Sequence, residues 1–290
     1  MPTRFLFFAA VAIWGTTWIA ITVQLRAATP EVGVALRFSL AALAAAAWCR
    51  WRGIALTLPW HTQRWLLALG ATGFCLSYLL VYHAERYIVS GLVAVGYAAM
   101  PLVNMTVERL SFGTPLSRRV AAGALLGLAG IALIFEPEFA RAATDTRLAV
   151  GAALTAAAVL ASSVANMIAL RNHRAGVDHW AQIALAMGWG AACGWAYALA
   201  SGTPLAIQWS WPFALTLVYL AVAGSVLAFA AYYVVVGRIG TARAAYVGVM
   251  STVVALLIST LVEGYDWRWT TAVGILLAVG GNVLALKRRT

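Results

Sequence analysis

The chain has 290 residues, of which 63% are apolar and only 10% are charged. Soluble domains average about 45–50% apolar and about 25% charged residues, so this composition excludes a soluble globular domain and a disordered chain. The net charge of +11 would suit a nucleic-acid-binding protein, but the positions of the basic residues argue against that class.

Ten apolar runs follow one another along the chain, and each is close to the length of about 20 residues that crosses a bilayer. They predict an all-α polytopic membrane protein whose ten transmembrane helices occupy residues 5–23, 32–50, 65–84, 88–109, 119–136, 148–170, 180–200, 212–237, 243–262 and 270–286. The links are short and contain proline and glycine, as at Pro30, Gly113 and Gly264. The first run lacks a convincing cleavage site, which favours an uncleaved helix over a signal peptide.

The basic residues are unevenly divided between the two faces that such a chain presents alternately. Fourteen Lys and Arg residues fall on the face of the N terminus, here called side A, and five fall on the opposite face, side B. The positive-inside rule then places side A in the cytoplasm, which predicts that both termini are cytoplasmic. Because the basic residues lie at the ends of apolar runs, we expect no nucleic-acid partner.

An internal repeat is indicated by an offset of 151 residues, which aligns residues 82–135 with 233–286 without a gap. Twelve of these 54 positions are identical, including the glycine pairs Gly113/Gly264, Gly123/Gly274 and Gly130/Gly281. Five helices per copy is an odd number, so the second copy enters the membrane from the opposite side. Such inverted repeats are common in transporters with a binding site near the midplane. We therefore predict two inverted five-helix halves, residues 1–140 and 147–290.

Several short motifs occur in the order found in one transporter family. They are Trp14-Gly15-Thr16-Thr17-Trp18 in predicted helix 1, Pro30 with Arg37-Phe38 in helix 2, Tyr82 with Ser90-Gly91-Leu92 and Met100-Pro101-Leu102 across helices 3 and 4, and Phe112-Gly113-Thr114-Pro115-Leu116-Ser117 before helix 5. This pattern resembles the EamA-type branch of the drug/metabolite transporter superfamily, although Thr114 stands where an acid is usual. The resemblance implies ten helices and export of a small metabolite across the bacterial inner membrane. Within the branch, the chain looks most like bacterial exporters of aromatic amino acids.

Aromatic and polar side chains deep in the predicted helices are candidate substrate contacts, because lipid cannot solvate polar groups. The resemblance implies that helices 1, 3, 4, 6, 8 and 9 line a central cavity. The predicted substrate-binding residues are Trp14, Thr17, Trp18, Tyr78, Tyr82, His83, Tyr97, Met100, Ser163, Asn166, Tyr232 and Tyr246. Their rings suit an aromatic or apolar side chain. Interfacial belts and interhelical hydrogen bonds use the same residue types, and His83 also fits a polar helix end or a pH-sensitive gate.

Arg37 is the basic residue that lies inside a predicted span, about 8 Å from the start of helix 2. From this depth a long side chain can extend to the side B surface. The alternative is a contact with a substrate carboxylate or a role in gating. The sequence leaves both interpretations open.

Motifs typical of enzymes, such as HExxH, GxSxG and the P-loop, do not occur in the sequence. The three cysteines lie in apolar runs without paired spacing, so we expect neither a disulfide framework, a metal site nor a cofactor. We predict a transporter and not an enzyme. It is expected to be a monomer that exports aromatic or other neutral amino acids by uncoupled alternating access, with this small-molecule substrate and membrane lipid as partners. Drugs, nucleosides or sugars are alternative substrates, and a proton-coupled antiporter or a passive channel is an alternative mechanism.

Overall fold

The computed structural model describes residues 1–115, 117–134, 136, 146–262 and 268–286. Within these residues the chain is helical, with short links and no strands. The helical segments are α1 (Thr3–Leu25), α2 (Pro30–Trp51), α3 (Trp60–Ala84), α4 (Ser90–Phe112), α5 (Arg118–Ile134), α6 (Thr146–Arg174), α7 (His179–Ala200), α8 (Trp211–Ile239), α9 (Thr241–Val262) and α10 (Trp269–Leu286).

Eight of these segments, all but α5 and α10, are long and apolar enough to cross a membrane. The predicted all-helical, multi-pass membrane protein is confirmed in this form. The count of ten spans, the two halves and the orientation of the termini stay predictions. Parts of the charge and repeat patterns used for them lie outside the described residues, at positions 137–145, 263–267 and 287–290.

Local sequence signals explain where several helices begin and end. Pro30 opens α2 with Glu31 in the first turn, where a missing N–H and a negative charge both suit the helix N terminus. The Asp178 side chain accepts hydrogen bonds from two backbone N–H groups and caps α7. Gly113 follows α4 at φ +66°, a left-handed conformation that glycine adopts without strain.

The outer surface of the helices is apolar. Large side chains are exposed along it, among them Leu43, Leu125, Leu215, Leu261 and Leu276. Soluble monomers rarely expose apolar area on this scale, whereas lipid tails match it. Helices α1, α3, α4, α6, α8 and α9 surround one central space, and Thr17, Arg37, Ser162, Asn166 and Ser251 are among the polar side chains that line it.

Two helices contain π-helical segments at related positions. The segments are Gly70–Leu76 in α3 and Val222–Leu227 in α8, and the offset of 151 residues takes Gly73 in the first onto Gly224 in the second. An added Cβ would lie 2.8 Å from Ala165 at Gly73 and 2.7 Å from Thr17 at Gly224. Each glycine therefore lets its helix approach a neighbour, α6 for α3 and α1 for α8.

The helix pairings have the same correspondence. α2 packs on α7 and α5 packs on α10, while α1 contacts α8 and α9 as α6 contacts α3 and α4. The offset of 151 residues exchanges α1 with α6, α2 with α7, α3 with α8, α4 with α9 and α5 with α10. Applied to each of these pairs of contacting helices, it gives either the same pair or another of the pairs just named. This arrangement is what an internal two-fold relation would produce, and the repeat itself stays a prediction.

Candidate functional site

A cavity of about 110 Å³ lies between the central helices. This is well above the about 10–15 Å³ that a single water needs, so the space is large enough for several waters or part of a small molecule. Nine of the predicted site residues line it: Trp14, Thr17, Trp18, Arg37, Tyr78, Tyr97, Met100, Asn166 and Tyr232. They come from six different helices, so tertiary packing brings together side chains that are as many as 218 positions apart in the sequence.

Aromatic rings form most of the wall. The Phe229 ring lies 5.0 Å from both Trp14 and Phe74, centroid to centroid, and contacts Tyr232 and Tyr233 edge-on or tilted. These edge-to-face and tilted geometries suit the ring quadrupoles. A flat apolar group entering the cavity would find ring faces and edges from α1, α3 and α8.

The Trp14 ring is held at the wall by a hydrogen bond across the bundle. Its Nε1 donates to the carbonyl oxygen of Gly224 at 3.1 Å, within the π-helical segment of α8. A π segment redirects backbone carbonyls, and such segments are frequent at functional sites. The break in α8 therefore fixes a ring of α1 at the cavity.

Another part of the wall is polar and belongs to α4 and α6. Tyr97 Oη lies 3.2 Å from Ser162 Oγ, and the Asn166 amide donates to Asn104 Oδ1 at 3.4 Å. The Trp18 ring lies beside Tyr97 at 5.4 Å, and its buried Nε1 has no hydrogen-bond partner among the described residues. A ligand with a polar end would find hydroxyl, amide and indole N–H groups on this side.

Arg37 is buried, with 1% of its surface exposed, and does not extend to the side B surface. Its Nε donates to Ser225 Oγ at 3.0 Å, while its guanidinium carbon lies 4.6 Å from the centroid of the Tyr78 ring. The Ser225 hydroxyl in turn donates to the Leu220 carbonyl oxygen. The structure therefore contradicts the surface-extended interpretation of Arg37 and places its charge at the cavity.

Four predicted site residues lie outside the cavity wall. Tyr82 is fully buried and donates to Gln24 Oε1 at 2.8 Å, because its ring packs beneath α1 and α2 and not beside Tyr78. Ser163 is also fully buried, and its neighbour Ser162 lines the cavity instead.

His83 and Tyr246 make interhelical contacts away from the cavity. His83 Nε2 lies 2.9 Å from Glu31 Oε1 and joins α3 to α2, although Glu85 is nearer in sequence. The buried Tyr246 hydroxyl donates to the Val120 carbonyl oxygen at 3.3 Å and joins α9 to α5.

Other wall residues were not among the predicted site residues. They are Phe74, Phe229, Tyr233, Ser162 and Ser251. Phe229 lies three and four positions before Tyr232 and Tyr233, a spacing that places it on the same helix face. That spacing is the signal in the sequence that could have identified it.

A chain of polar contacts extends from the cavity toward side A. Asn104 Nδ2 donates to the Thr241 carbonyl oxygen at 3.3 Å, and the Thr241 hydroxyl donates to the buried Glu108 carboxylate. Arg174 Nη2 lies 4.0 Å from the same carboxylate. Together with the Asn166 contact to Asn104, these bonds tie α4, α6 and α9 together.

The described residues contain no group of three or more His, Cys, Asp or Glu side chains placed to hold a metal ion. Cys49 and Cys75 are buried as free thiols, and Cys193 is partly buried.

Comparisons with known proteins agree with the helical architecture. Residues 1–136 match the EamA-like transporter family. A solved crystal structure matches with a TM-score of 0.75 over 98% of this chain and 97% of that chain, at 20% identity, which establishes a shared fold alone.

Two curated bacterial proteins are related in sequence over part of their length. Protein PagO of Salmonella typhimurium is 29% identical over 133 residues, which cover 44% of this chain and 43% of that protein. An uncharacterized transporter in the trpA 3' region of Buchnera aphidicola is 30% identical over 112 residues, covering 38% of this chain and 37% of that protein. The alignments thus span less than half of either relative. Residues 1–136 of the 290-residue chain are thus similar to the EamA-like transporter family, and the PagO alignment is a similarity over part of both chains.

Proposed function

We propose that this protein exports small metabolites with an aromatic or apolar body, in the first instance aromatic or other neutral amino acids. The observation that supports this most is the composition of the central cavity. Rings from α1, α3 and α8 form one part of the wall, and short polar groups from α4 and α6 form another part beside them. An aromatic amino acid has the same division between a flat apolar side chain and hydrogen-bonding groups.

In this proposal the rings of Trp14, Phe74 and Phe229 stack on the substrate side chain. Ser162 and Asn166 bind its polar groups, since both lie on the polar wall. Burial of an aromatic ring against these side chains is favourable because it removes apolar surface from water.

We propose alternating access as the mechanism. The Asn104–Thr241–Glu108 contacts would form the closure on side A. The Tyr82–Gln24 and His83–Glu31 contacts would form the closure nearer side B. Opening one end while the other stays bonded would expose the cavity to one side at a time. The π segments of α3 and α8 border the cavity and would be the positions at which these helices bend.

We further propose that transport is uncoupled and driven by the gradient of the substrate. Proton-driven antiporters commonly place an ionisable carboxylate in the membrane interior. Among the described residues no carboxylate lines the cavity, and Glu31 and Glu108 are held in interhelical contacts. The proposed setting is the bacterial inner membrane, with both termini in the cytoplasm and the protein acting as a monomer.

The test uses sealed proteoliposomes that contain the purified protein alone. A panel of labelled amino acids, nucleosides, sugars and cationic drugs is offered at equal concentration. We expect saturable uptake and counterflow for aromatic amino acids, at similar rates with and without a pH gradient. Uptake confined to another class would refute the substrate proposal, and flux without saturation or counterflow would identify a channel. Accumulation above equality driven by a pH gradient would refute uncoupled transport.

A further inference from the structure

Arg37 has no ionic partner in the part of the chain that the structure describes. Its side chain is 1% exposed, and the ion pairs His83–Glu31 and Arg174–Glu108 do not include it. Nη1 has no hydrogen-bond partner among the described residues. Its contacts with the Ser225 and Tyr82 hydroxyls and with the Phe38 and Tyr78 rings are all to neutral groups.

A buried cation without a counter-charge is unfavourable, because burial removes its hydration and no Coulomb attraction replaces it. The Tyr78 ring offsets part of this loss through a cation–π contact. A substrate anion would recover part of the remaining loss. The Ser225 hydroxyl fixes the orientation of the guanidinium through Nε, and Nη1 is left as a donor without a hydrogen-bond partner among the described residues. A planar guanidinium with free donors matches a carboxylate in charge and shape.

The rest of the cavity wall has no opposite charge to offer. Its described residues include no Asp or Glu side chain, and Arg37 is the charged residue among them. A substrate ammonium group would therefore meet only ring faces, hydroxyls and amides. The charge balance of the wall fits a substrate with one negative charge better than it fits a zwitterion or a cation.

We propose that Arg37 binds the carboxylate of the substrate, and that the cavity accepts aromatic monocarboxylates without an amino group at least as readily as aromatic amino acids. This inference rests on the proposed transport of aromatic metabolites through the same cavity. It narrows the substrate class by charge: the carboxylate is required and the ammonium group is not.

Four ligands of nearly equal shape test the charge requirement on the unmodified protein. They are 3-phenylpropanoate, its neutral amide 3-phenylpropanamide, phenylalanine and phenethylamine, each titrated calorimetrically into the full chain in nanodiscs. We expect the acid to bind at least about tenfold more tightly than the amide, no more weakly than phenylalanine, and much more tightly than the amine. Equal affinity for acid and amide would overturn the inference.

Variants then assign the preference to one side chain. Arg37→Gln should reduce the affinity for the acid at least about tenfold and leave the affinity for the amide nearly unchanged. Arg37→Lys should retain part of the preference. Arg52→Gln is the matched control, because Arg52 is exposed at the end of α2 and far from the wall residues. Retention of the full acid preference in Arg37→Gln would overturn the assignment.

The outcomes separate this inference from the proposed function. If phenylalanine binds and is transported but the acid is not, the charge inference fails and the proposed function stands. If none of the four ligands binds, the proposed function fails with it. If Arg37→Gln does not give a monodisperse protein, the ligand series on the unmodified chain still decides the charge requirement.

Discussion

Replacing Gly130 with alanine is expected to destabilise the protein, because the added methyl group would overlap the backbone of α10. An alanine Cβ would lie 2.3 Å from the Gly274 carbonyl oxygen and 2.9 Å from the Ala278 nitrogen, whereas ordinary contact begins at 3.4 Å. The two helices must therefore separate locally by about 1 Å, and overpacking of this kind costs about 1–3 kcal/mol. Helix packing in lipid depends on such close approach between small residues.

The predicted repeat supplies a second variant and a control. The offset takes Gly130 onto Gly281, where an added Cβ would lie 2.2 Å from the Gly123 carbonyl oxygen. Gly281→Ala should therefore cost about as much as Gly130→Ala. The control is Gly127→Ala, because nothing lies within 4 Å of its added Cβ and the equivalent residue of the second half is already Ala278. This control should be neutral or stabilising, since alanine favours the helix.

The assay measures the thermal stability of the purified variants as the fraction of protein that remains monodisperse after heating. At about 2–4 °C per kcal/mol, the Gly130 and Gly281 variants should lose about 2–12 °C in midpoint and agree with each other within a few degrees. If Gly130→Ala is as stable as the original chain, the close packing of α5 and α10 is wrong. If Gly127→Ala is equally destabilised, the effect is not steric.

Three other predictions concern topology and the cavity. Reporter fusions at Arg118 should be cytoplasmic and fusions at Ser201 external, and the reverse result would refute the orientation deduced from the charges. Tyr78→Ala should impair transport at normal protein yield, whereas Tyr82→Phe should lower stability by about 1 kcal/mol through the lost buried hydrogen bond to Gln24; normal transport by Tyr78→Ala or unchanged stability of Tyr82→Phe would contradict these placements. Phe229→Ala should weaken apparent affinity for an aromatic substrate about 2- to 13-fold, measured by half-saturation of counterflow, and an unchanged value would remove Phe229 from the site.

The cavity shows how far residue type and depth in a helix can predict a site. Trp14, Trp18 and Asn166 were identified because rings and amides are unusual in the middle of apolar runs, and they do line the cavity. Phe74 and Phe229 were missed because a phenylalanine in an apolar run is equally suited to lipid, to the core and to a binding site. Their direction depends on how the π segments rotate α3 and α8, and hydropathy contains no information on that rotation.

Arg37 and the four predicted site residues that lie outside the cavity wall also show what the sequence alone could not predict. Tyr78 and Tyr82 share a helix face by spacing, yet one lies at the cavity and the other bonds to Gln24 beneath it. The π segment just before them and the neighbouring helices decide which part of that face opens inward. For Arg37 the sequence could only give the depth, and two directions were open from that depth. The Ser225 hydroxyl, 188 positions away, holds the side chain inward.

The sequence by itself determined that this protein is helical and made for a membrane, because both follow from local quantities: the length of apolar runs, the residues that end them, and the charge between them. The charge pattern and the 151-residue offset likewise define predictions for topology and repeat. Only the tertiary structure decided which side chains meet. The cavity is assembled by side chains from separate helices, and contacts between helices depend on rotations and close approaches that no local pattern specifies.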